Sequence, residues 1–497
     1  MSNISTDDGK FAISEFVDSF GITRRTWGIV ILLAVCMLFD GYGNSIANFC
    51  LPSIQAEWGL DSAAAGSVSS WSLIGLVIGA VIVGYLSDRI GRKKTMIISV
   101  LCFGIFSLPL YFVNSFAAFA VFRVLSGMGL GACIPMSTTM MSEWAPSKYR
   151  GTLITVGMAV LVCGGVISGI LGGFFCNPTM AAAVNAGQYP YDSVATIALP
   201  LLPGLHADYW RVSFLVGFIP VFHTILLAVF LPESPHYLAS KGQLDKVVNL
   251  MQDYERRATG SVTKSAGLTP DQIVITAQSQ RTRGKRLGPS ALISKKYIRG
   301  TIAVWVTYFC GCMVVYGING FLPKLCGALG YNYTIATVNM LIGAVAAICC
   351  GMFADAFGRK KAIAIGFFAT AVMVSIVAMT GYLDWGQLAF TVAALVLGFA
   401  SNFGQSSVQP LIPEVYPVEI RGVGTAWCEA GGRFGGVISP IIVGLIIDMG
   451  MTQGFSAGHA TSLSFLFIAI PAVFAALSAI LLVKKDLRGK SIAEADE

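Results

Sequence analysis

The sequence predicts an all-α membrane protein with twelve transmembrane helices in two six-helix bundles. Its 497 residues are 55% hydrophobic and only 12% charged, with a mean hydropathy of +0.72, whereas soluble chains carry about 25% charged residues. Apolar runs of about 20 residues, each long enough to cross a bilayer core of about 30 Å, recur along the chain. Two polar motifs also recur at nearly one spacing, which indicates a duplicated chain whose halves are related by pseudo-two-fold symmetry.

The first repeated motif is a polar turn between two apolar runs. Gly84–Lys94 reads GYLSDRIGRKK, and Gly351–Lys361 reads GMFADAFGRKK. The second motif is also repeated: Glu143–Gly151 reads EWAPSKYRG, and Glu414–Gly422 reads EVYPVEIRG. The two offsets are 267 and 271 residues, so the paired motifs mark equivalent positions in the two halves.

The apolar runs predict six spans before a long polar segment and six after it. They lie at 27–50, 66–86, 95–113, 117–141, 152–175, 211–231, 300–322, 335–354, 362–381, 386–410, 423–447 and 462–483. The chain is thereby divided into an N-terminal segment 1–26, a first bundle 27–231, a linker 232–299, a second bundle 300–483 and a tail 484–497. The linker holds few apolar residues, so we expect it to have no core of its own.

Lysine and arginine are distributed unevenly between the two sides of the membrane. The terminal segments, the linker and the loops on the same side carry 29 of the 33 basic residues. The positive-inside rule therefore places both termini and the linker in the cytoplasm. We expect a location in the plasma (cytoplasmic or inner) membrane, with the lipid bilayer as a partner. Because the basic residues lie mostly on one side of the membrane, the net charge of +7 is explained by membrane orientation and does not indicate a nucleic-acid partner.

No arrangement of residues in the sequence indicates an enzyme. The twelve cysteines lie mostly inside apolar runs and lack the spacing of a metal site or a disulfide framework. The sequence has no nucleophile–base constellation and no phosphate-binding loop in a strand–turn–helix context. We therefore expect no catalysis, no cofactor and no metal. No feature demands an oligomer, so we expect a monomer to function.

Four charged residues lie inside predicted spans: Asp40, Arg123, Glu429 and Arg433. A charge in the middle of a membrane helix costs roughly 2.5–3.5 kcal/mol on insertion scales, so each of them needs a partner or a wet cavity. The rise of an α-helix puts Asp40 about 20 Å and Arg433 about 18 Å from the cytoplasmic ends of their spans, near the membrane midplane.

These charges suggest a site that couples protons to a solute. Burial favours the neutral form of a carboxyl group, and a nearby guanidinium favours the charged form, so Asp40 is a candidate proton carrier, with a purely structural role as the alternative. Glu429 is a second candidate, although it can instead neutralise Arg433 four residues away on the same helix face. Arg123 and Arg433 are candidates for gripping a substrate carboxylate in bidentate fashion.

Polar and aromatic residues in the spans would complete a site for a small solute. Each such residue has helix packing as its alternative role. The candidate substrate contacts are Tyr42, Asn44, Tyr316, Asn319 and Gln405, with Tyr308 and Asn402 as further candidates.

Taken together, the motifs resemble the major facilitator superfamily. They are the repeated Gly-x-x-x-Asp-x-x-Gly-Arg-Lys-Lys turn, the Arg123-x-x-x-Gly127-x-Gly129-x-Gly131 helix and the Pro232-Glu-Ser-Pro segment. The resemblance covers essentially the whole chain, and it implies two bundles around a central cavity that opens to either side in turn. It also implies a cytoplasmic gate made of Asp88, Arg92, Glu143 and Arg150 with Asp355, Arg359, Glu414 and Arg421.

The first and eleventh spans resemble those of the aromatic acid:proton symporters and the related metabolite:proton symporters. Asp40-Gly41-Tyr42 is similar to their Asp-Gly-aromatic-Asp pattern, except that Gly43 stands where the second aspartate is usual. Gly432-Arg433-Phe434-Gly435 is similar to their Gly-Arg-x-Gly pattern. Glu429 is an additional carboxylate, and one hypothesis is that it replaces the missing aspartate.

We therefore predict a proton-coupled secondary active transporter, a symporter of a small organic solute that works by alternating access. A carboxylate or an aromatic acid is the expected solute, and the small-molecule substrate and protons are the expected partners. Two other transport functions are open: a sugar-porter-like carrier of a neutral solute, and an exporter of metabolites or drugs. A sensor that binds a ligand without transporting it is an alternative of a different class.

Overall fold

A computed structural model of the protein describes residues 11–175, 209–263, 265, 268–270, 273–274, 292–294, 297–331, 334–409, 411–416 and 421–482. These residues are almost entirely helical. The helices of the first half are α1 (Ile13–Asp18), α2 (Arg24–Trp58), α3 (Ser62–Ile90), α4 (Arg92–Ser107), α5 (Pro109–Phe112), α6 (Phe116–Leu130), α7 (Cys133–Trp144), α8 (Arg150–Phe175), α9 (Tyr209–Leu215) and α10 (Pro220–Phe230).

The linker and the second half are also helical. The linker contains α11 (Pro235–Ser240) and α12 (Leu244–Thr259). The second half contains α13 (Ile298–Ala328), α14 (Thr334–Phe357), α15 (Arg359–Tyr382), α16 (Gln387–Val408), α17 (Leu411–Glu414), α18 (Arg421–Thr452) and α19 (Ala457–Leu482). We call the face at which α2 begins the terminal face, and the opposite one the distal face.

The helices match the predicted spans. Among the described residues, 11 segments are long and apolar enough to cross a membrane, and Thr334–Cys350 of α14 is a shorter apolar stretch. This confirms the predicted fold class. Three predicted spans consist of two helices in succession rather than one, namely 95–113, 117–141 and 211–231. In two of them Pro109 and Pro220 begin the second helix, a position where the missing N–H of proline costs no hydrogen bond.

The repeated polar turn owes its glycines to backbone conformation. Gly91 joins α3 to α4 with a φ of 103°, and Gly358 joins α14 to α15 with a φ of 95°. L-residues with side chains rarely adopt such values. The sequence repeat is therefore a structural repeat, with the same turn at the same place in each half.

The linker packs onto the terminal face of the first half. Tyr254 of α12 stacks on Trp144 with ring centroids 5.2 Å apart and shares a 2.8 Å hydrogen bond with Thr26 of α2. A short strand β1 (Phe11–Ala12) pairs in parallel with β2 (Ile273–Val274) from the linker. The apolar residues of the linker thus join the core of the first half.

The two halves meet at their distal ends, where α3 packs against α18 and α8 against α14. Both carboxylate oxygens of Asp448 accept hydrogen bonds from the first turn of α3, at 2.8 Å from Ser62 N and 2.8 Å from Ala63 N. Gly66 lies directly against the backbone of Pro440. Small residues allow such close helix contact, and the distal face is closed by it.

Candidate functional site

Asp40 lies in the middle of α2 and is buried, with 2% of its surface exposed. Asn44, one turn further along the helix, donates a 3.0 Å hydrogen bond from Nδ2 to Asp40 Oδ1. Arg433 of α18 is close enough to act on this carboxyl group electrostatically. Since α2 belongs to the first half and α18 to the second, the predicted proton carrier and the predicted anion-binding residue interact electrostatically across the interface between the halves.

Arg433 also has a carboxylate partner on its own helix. Glu429 Oε2 lies 3.8 Å from Arg433 Nη2 and accepts a 2.8 Å hydrogen bond from the Tyr308 hydroxyl of α13. The amide Nε2 of Gln409 in turn donates to that hydroxyl at 3.1 Å. The result is a central cluster of two carboxylates and one guanidinium, defined here as Asp40, Glu429 and Arg433.

The central cluster lies just below the closed distal contacts. Ser70 of α3 donates a 2.6 Å hydrogen bond to the carbonyl of Val437, one turn beyond Arg433 on α18. On the other side, the Arg433 and Glu429 side chains keep 13% and 26% of their surface exposed. The cluster is therefore sealed toward the distal face and retains exposed surface below that seal.

Two amide oxygens near the cluster have no partner. Asn44 Oδ1 and Gln405 Oε1 are buried and accept no hydrogen bond from any described residue. The other end of the Gln405 amide lies 3.6 Å from Cys312 Sγ. A buried acceptor without a donor is costly, so both oxygens suit a ligand that carries hydrogen-bond donors.

The remaining candidate substrate contacts lie at different distances from the central cluster. Tyr316 packs against Gly436 and lies within electrostatic range of Arg433. Asn319 is half-buried on α13, one turn nearer the distal face than Tyr316. Tyr42 instead donates to the Ser213 carbonyl at 2.5 Å inside the first half.

Arg123 is also committed to the interior of the first half. Its side chain is 1% exposed, donates from Nη1 to the Gly43 carbonyl at 3.2 Å and lies over the ring of Phe214. In this conformation it does not join Arg433 in the central cluster, and its contact with a substrate stays a prediction.

The predicted gate residues are only partly described. Arg92 and Glu143 form an ion pair on the terminal face, and Arg150 and Arg359 begin α8 and α15 there. The side chains of four further residues lie outside the described part: Asp88, Asp355, Glu414 and Arg421. The gating role of the set stays a prediction.

Several functional contacts were not predicted from the sequence. Gln409 and Asp448 carry no motif, and their partners are more than a hundred residues away in the chain. Glu233 stands inside the Pro-Glu-Ser-Pro motif, and its Oε1 accepts hydrogen bonds from Arg92 N at 2.9 Å and Lys93 N at 3.0 Å. It thus caps the N-terminus of α4. The Pro-Glu-Ser-Pro motif is the one sequence feature that marks Glu233 for a structural role.

Comparison with known proteins gives consistent results. The family described as "Sugar (and other) transporter" matches residues 22–493. The chain is 30% identical over 475 residues to a gallate transporter of Pseudomonas putida, covering 95% of each chain. It is also 30% identical over 431 residues to the 4-hydroxybenzoate transporter PcaK of Acinetobacter baylyi, covering 86% of each.

Solved structures share the fold. The inward-open conformation of the xylose transporter XylE from E. coli superposes with a TM-score of 0.72 at 18% sequence identity, covering 95% of this chain and 99% of the other. Together with the membrane-spanning helices, these findings identify an integral membrane protein and a transporter rather than an enzyme. They confirm the expected resemblance to the major facilitator superfamily: the chain belongs to the family of sugar (and other) transporters.

Proposed function

We propose that the protein is a proton-coupled symporter that imports a small organic carboxylate, with an aromatic acid as the preferred class. The observation that carries this proposal is the central cluster, in which one guanidinium from the second half lies within electrostatic range of a buried carboxyl group from the first half. A substrate carboxylate can replace the negative partners of Arg433, and the displaced Asp40 then takes up a proton. Binding of the anion and of the proton is thereby linked.

The distal contacts support an assignment of the described conformation to one state of the transport cycle. The terminal face is the cytoplasmic face of the plasma membrane by the positive-inside rule, so the conformation described here is sealed from outside and corresponds to the state that releases substrate inward. Return to the outward-open state requires α3 and α18 to separate at their distal ends. The three residues of the central cluster belong to one chain, which supports a functional monomer, and the proposed mechanism uses neither nucleic acid nor a cofactor.

The two unpartnered amide oxygens narrow the substrate class. Asn44 Oδ1 and Gln405 Oε1 are acceptors on opposite halves, and hydroxyl groups on an aromatic ring are donors that would satisfy them. Relatives named for gallate and 4-hydroxybenzoate carry acids of this kind. We infer that the carboxylate binds Arg433 while ring hydroxyls reach the amide oxygens.

Uptake into liposomes tests the proposal. An inside-alkaline pH gradient is imposed, and labelled aromatic acids, aliphatic carboxylates and hexoses are offered to the wild type and to Asp40→Asn. We expect a carboxylate to accumulate only with the gradient and only in the wild type. Accumulation of a hexose, or gradient-independent equilibration that is unaffected in Asp40→Asn, would refute the proposal.

A further inference from the structure

Glu429 is the charged residue of the central cluster whose part in proton transfer the proposed exchange at Asp40 and Arg433 does not specify. It lies 3.8 Å from Arg433 and receives the Tyr308 hydroxyl at 2.8 Å. That hydroxyl is itself held by Gln409. A carboxylate fixed by a neighbouring helix in this way is positioned beside the guanidinium, rather than free to turn away from it.

The charge balance of the cluster depends on this residue. Without substrate, two carboxylates and one guanidinium leave one excess negative charge if both carboxyl groups are ionised. A bound monocarboxylate adds a second excess negative charge at a buried site. Uncompensated charge in a low-dielectric interior is expensive, and such groups normally become neutral instead.

We propose that Glu429 is a second proton-carrying residue, so that each monocarboxylate enters with two protons, one on Asp40 and one on Glu429. This inference rests on the proposed function and adds the stoichiometry. When the substrate binds Arg433, both carboxyl groups are protonated and the occupied site is neutral. When it leaves, both protons follow, and the empty site returns to two ionised carboxyl groups and one guanidinium. Water can solvate the one excess negative charge at the exposed surface of the Glu429 side chain.

Apart from Asp40, no described neighbour of Glu429 offers the same chemistry. The ionisable groups that interact with it are Arg433, the phenols of Tyr308 and Tyr316, and the thiols of Cys312 and Cys428. Phenols and thiols are ordinarily neutral at neutral pH, and a guanidinium stays charged. Among these described neighbours, the carboxyl group is the one suited to exchanging a proton during transport.

The stoichiometry is measured from substrate accumulation at equilibrium in liposomes. With two protons for each monoanion, one positive charge enters in each cycle. The accumulation ratio should then rise about 100-fold per pH unit, and about tenfold for each 60 mV of inside-negative potential. The Glu429→Gln variant should accumulate substrate only about tenfold per pH unit and should not respond to membrane potential, whereas Glu429→Asp should keep both wild-type dependences.

Asp245→Asn, which removes an exposed carboxylate of α12, is the matched control and should behave as the wild type.

A wild-type slope of tenfold per pH unit, with no response to membrane potential, would overturn the inference while leaving the proposed function intact. Retention of the potential response in Glu429→Gln would overturn it as well. If that variant does not fold, the wild-type slopes decide the question alone. Absence of any gradient-driven carboxylate accumulation in the wild type would instead refute the proposed function itself.

Discussion

Asp40 and Arg433 come from different halves of the chain, so their interaction depends on how the halves are arranged. In the distally closed state the guanidinium is near Asp40 and is also paired with Glu429. When the halves rock apart, the distance to Asp40 changes while Glu429 moves with Arg433 on α18. The two carboxyl groups are thus expected to differ in role: Asp40 responds to conformation, and Glu429 responds to substrate.

The unpartnered oxygen of Gln405 makes substrate hydroxyl groups a testable feature at the residue scale. Gln405→Leu removes the acceptor, and a neutral hydrogen bond contributes about 0.5–1.5 kcal/mol. We therefore expect the KM for a hydroxylated aromatic acid to rise about 2- to 13-fold. The unsubstituted acid serves as the internal control, and its KM should change little. An equal rise for both acids would contradict the role given to Gln405.

His236 gives a pH dependence at the terminal face, outside the membrane. Burial lowers the pKa of this side chain from 6.5, and the positive charges of Arg92 and Arg150 lower it further. As the pH falls below about 6.5, the unfolded chain binds a proton that the folded chain does not bind, so stability is lost. The thermal midpoint of the wild type should therefore fall more between pH 7.5 and pH 5.5 than that of His236→Asn. Equal decreases in the two proteins would contradict this assignment.

At the scale of elements, the ends of two helices are held by carboxylates from elsewhere in the chain. Glu233 of the linker caps α4 within the first half, whereas Asp448 of the second half caps α3 of the first. The first cap can persist through a transport cycle. The second must break whenever the distal face opens, so it acts as a latch on the closed state.

The cap on α4 should contribute to stability. Glu233→Ala removes an acceptor from the N–H groups of Arg92, Lys93 and Ser234, and loss of an N-terminal cap costs about 1 kcal/mol. We expect a lower thermal midpoint in detergent, with Asp245→Ala in the exposed first turn of α12 as the comparison. A midpoint equal to that of the comparison variant would argue against a stabilising cap.

The latch at Asp448 should set the balance between conformations. Asp448→Ala removes two interactions at 2.8 Å between the halves, and the N-terminus of α3 loses a favourable negative charge. In a cysteine-free background, spin labels at Leu60 and Met451 on the distal face should report a larger population at long distance. Asp384→Asn, an exposed acidic residue on the same face, is the control. An unchanged distance distribution in Asp448→Ala would show that other contacts close this face.

At the scale of the whole molecule, the sequence predicted what depends on local pattern. Span lengths, the duplicated turn at Gly91 and Gly358, and the intramembrane charges could all be predicted, because lipid imposes length and polarity rules on each segment separately. The helix breaks at Pro109 and Pro220 were missed because the apolar runs continue through them. The partners of Glu429 and Asp448 could not be predicted, since they depend on the packing of helices far apart in the chain.

The central claim for the whole molecule is that binding of the anion and binding of protons are one linked event. The most direct measurement is the number of protons taken up when a transported carboxylate binds to the purified protein, obtained by calorimetry in buffers of different ionisation enthalpy. The account predicts net proton uptake by the wild type and one proton fewer in Asp40→Asn. Binding of the carboxylate without proton uptake by the wild type would contradict it.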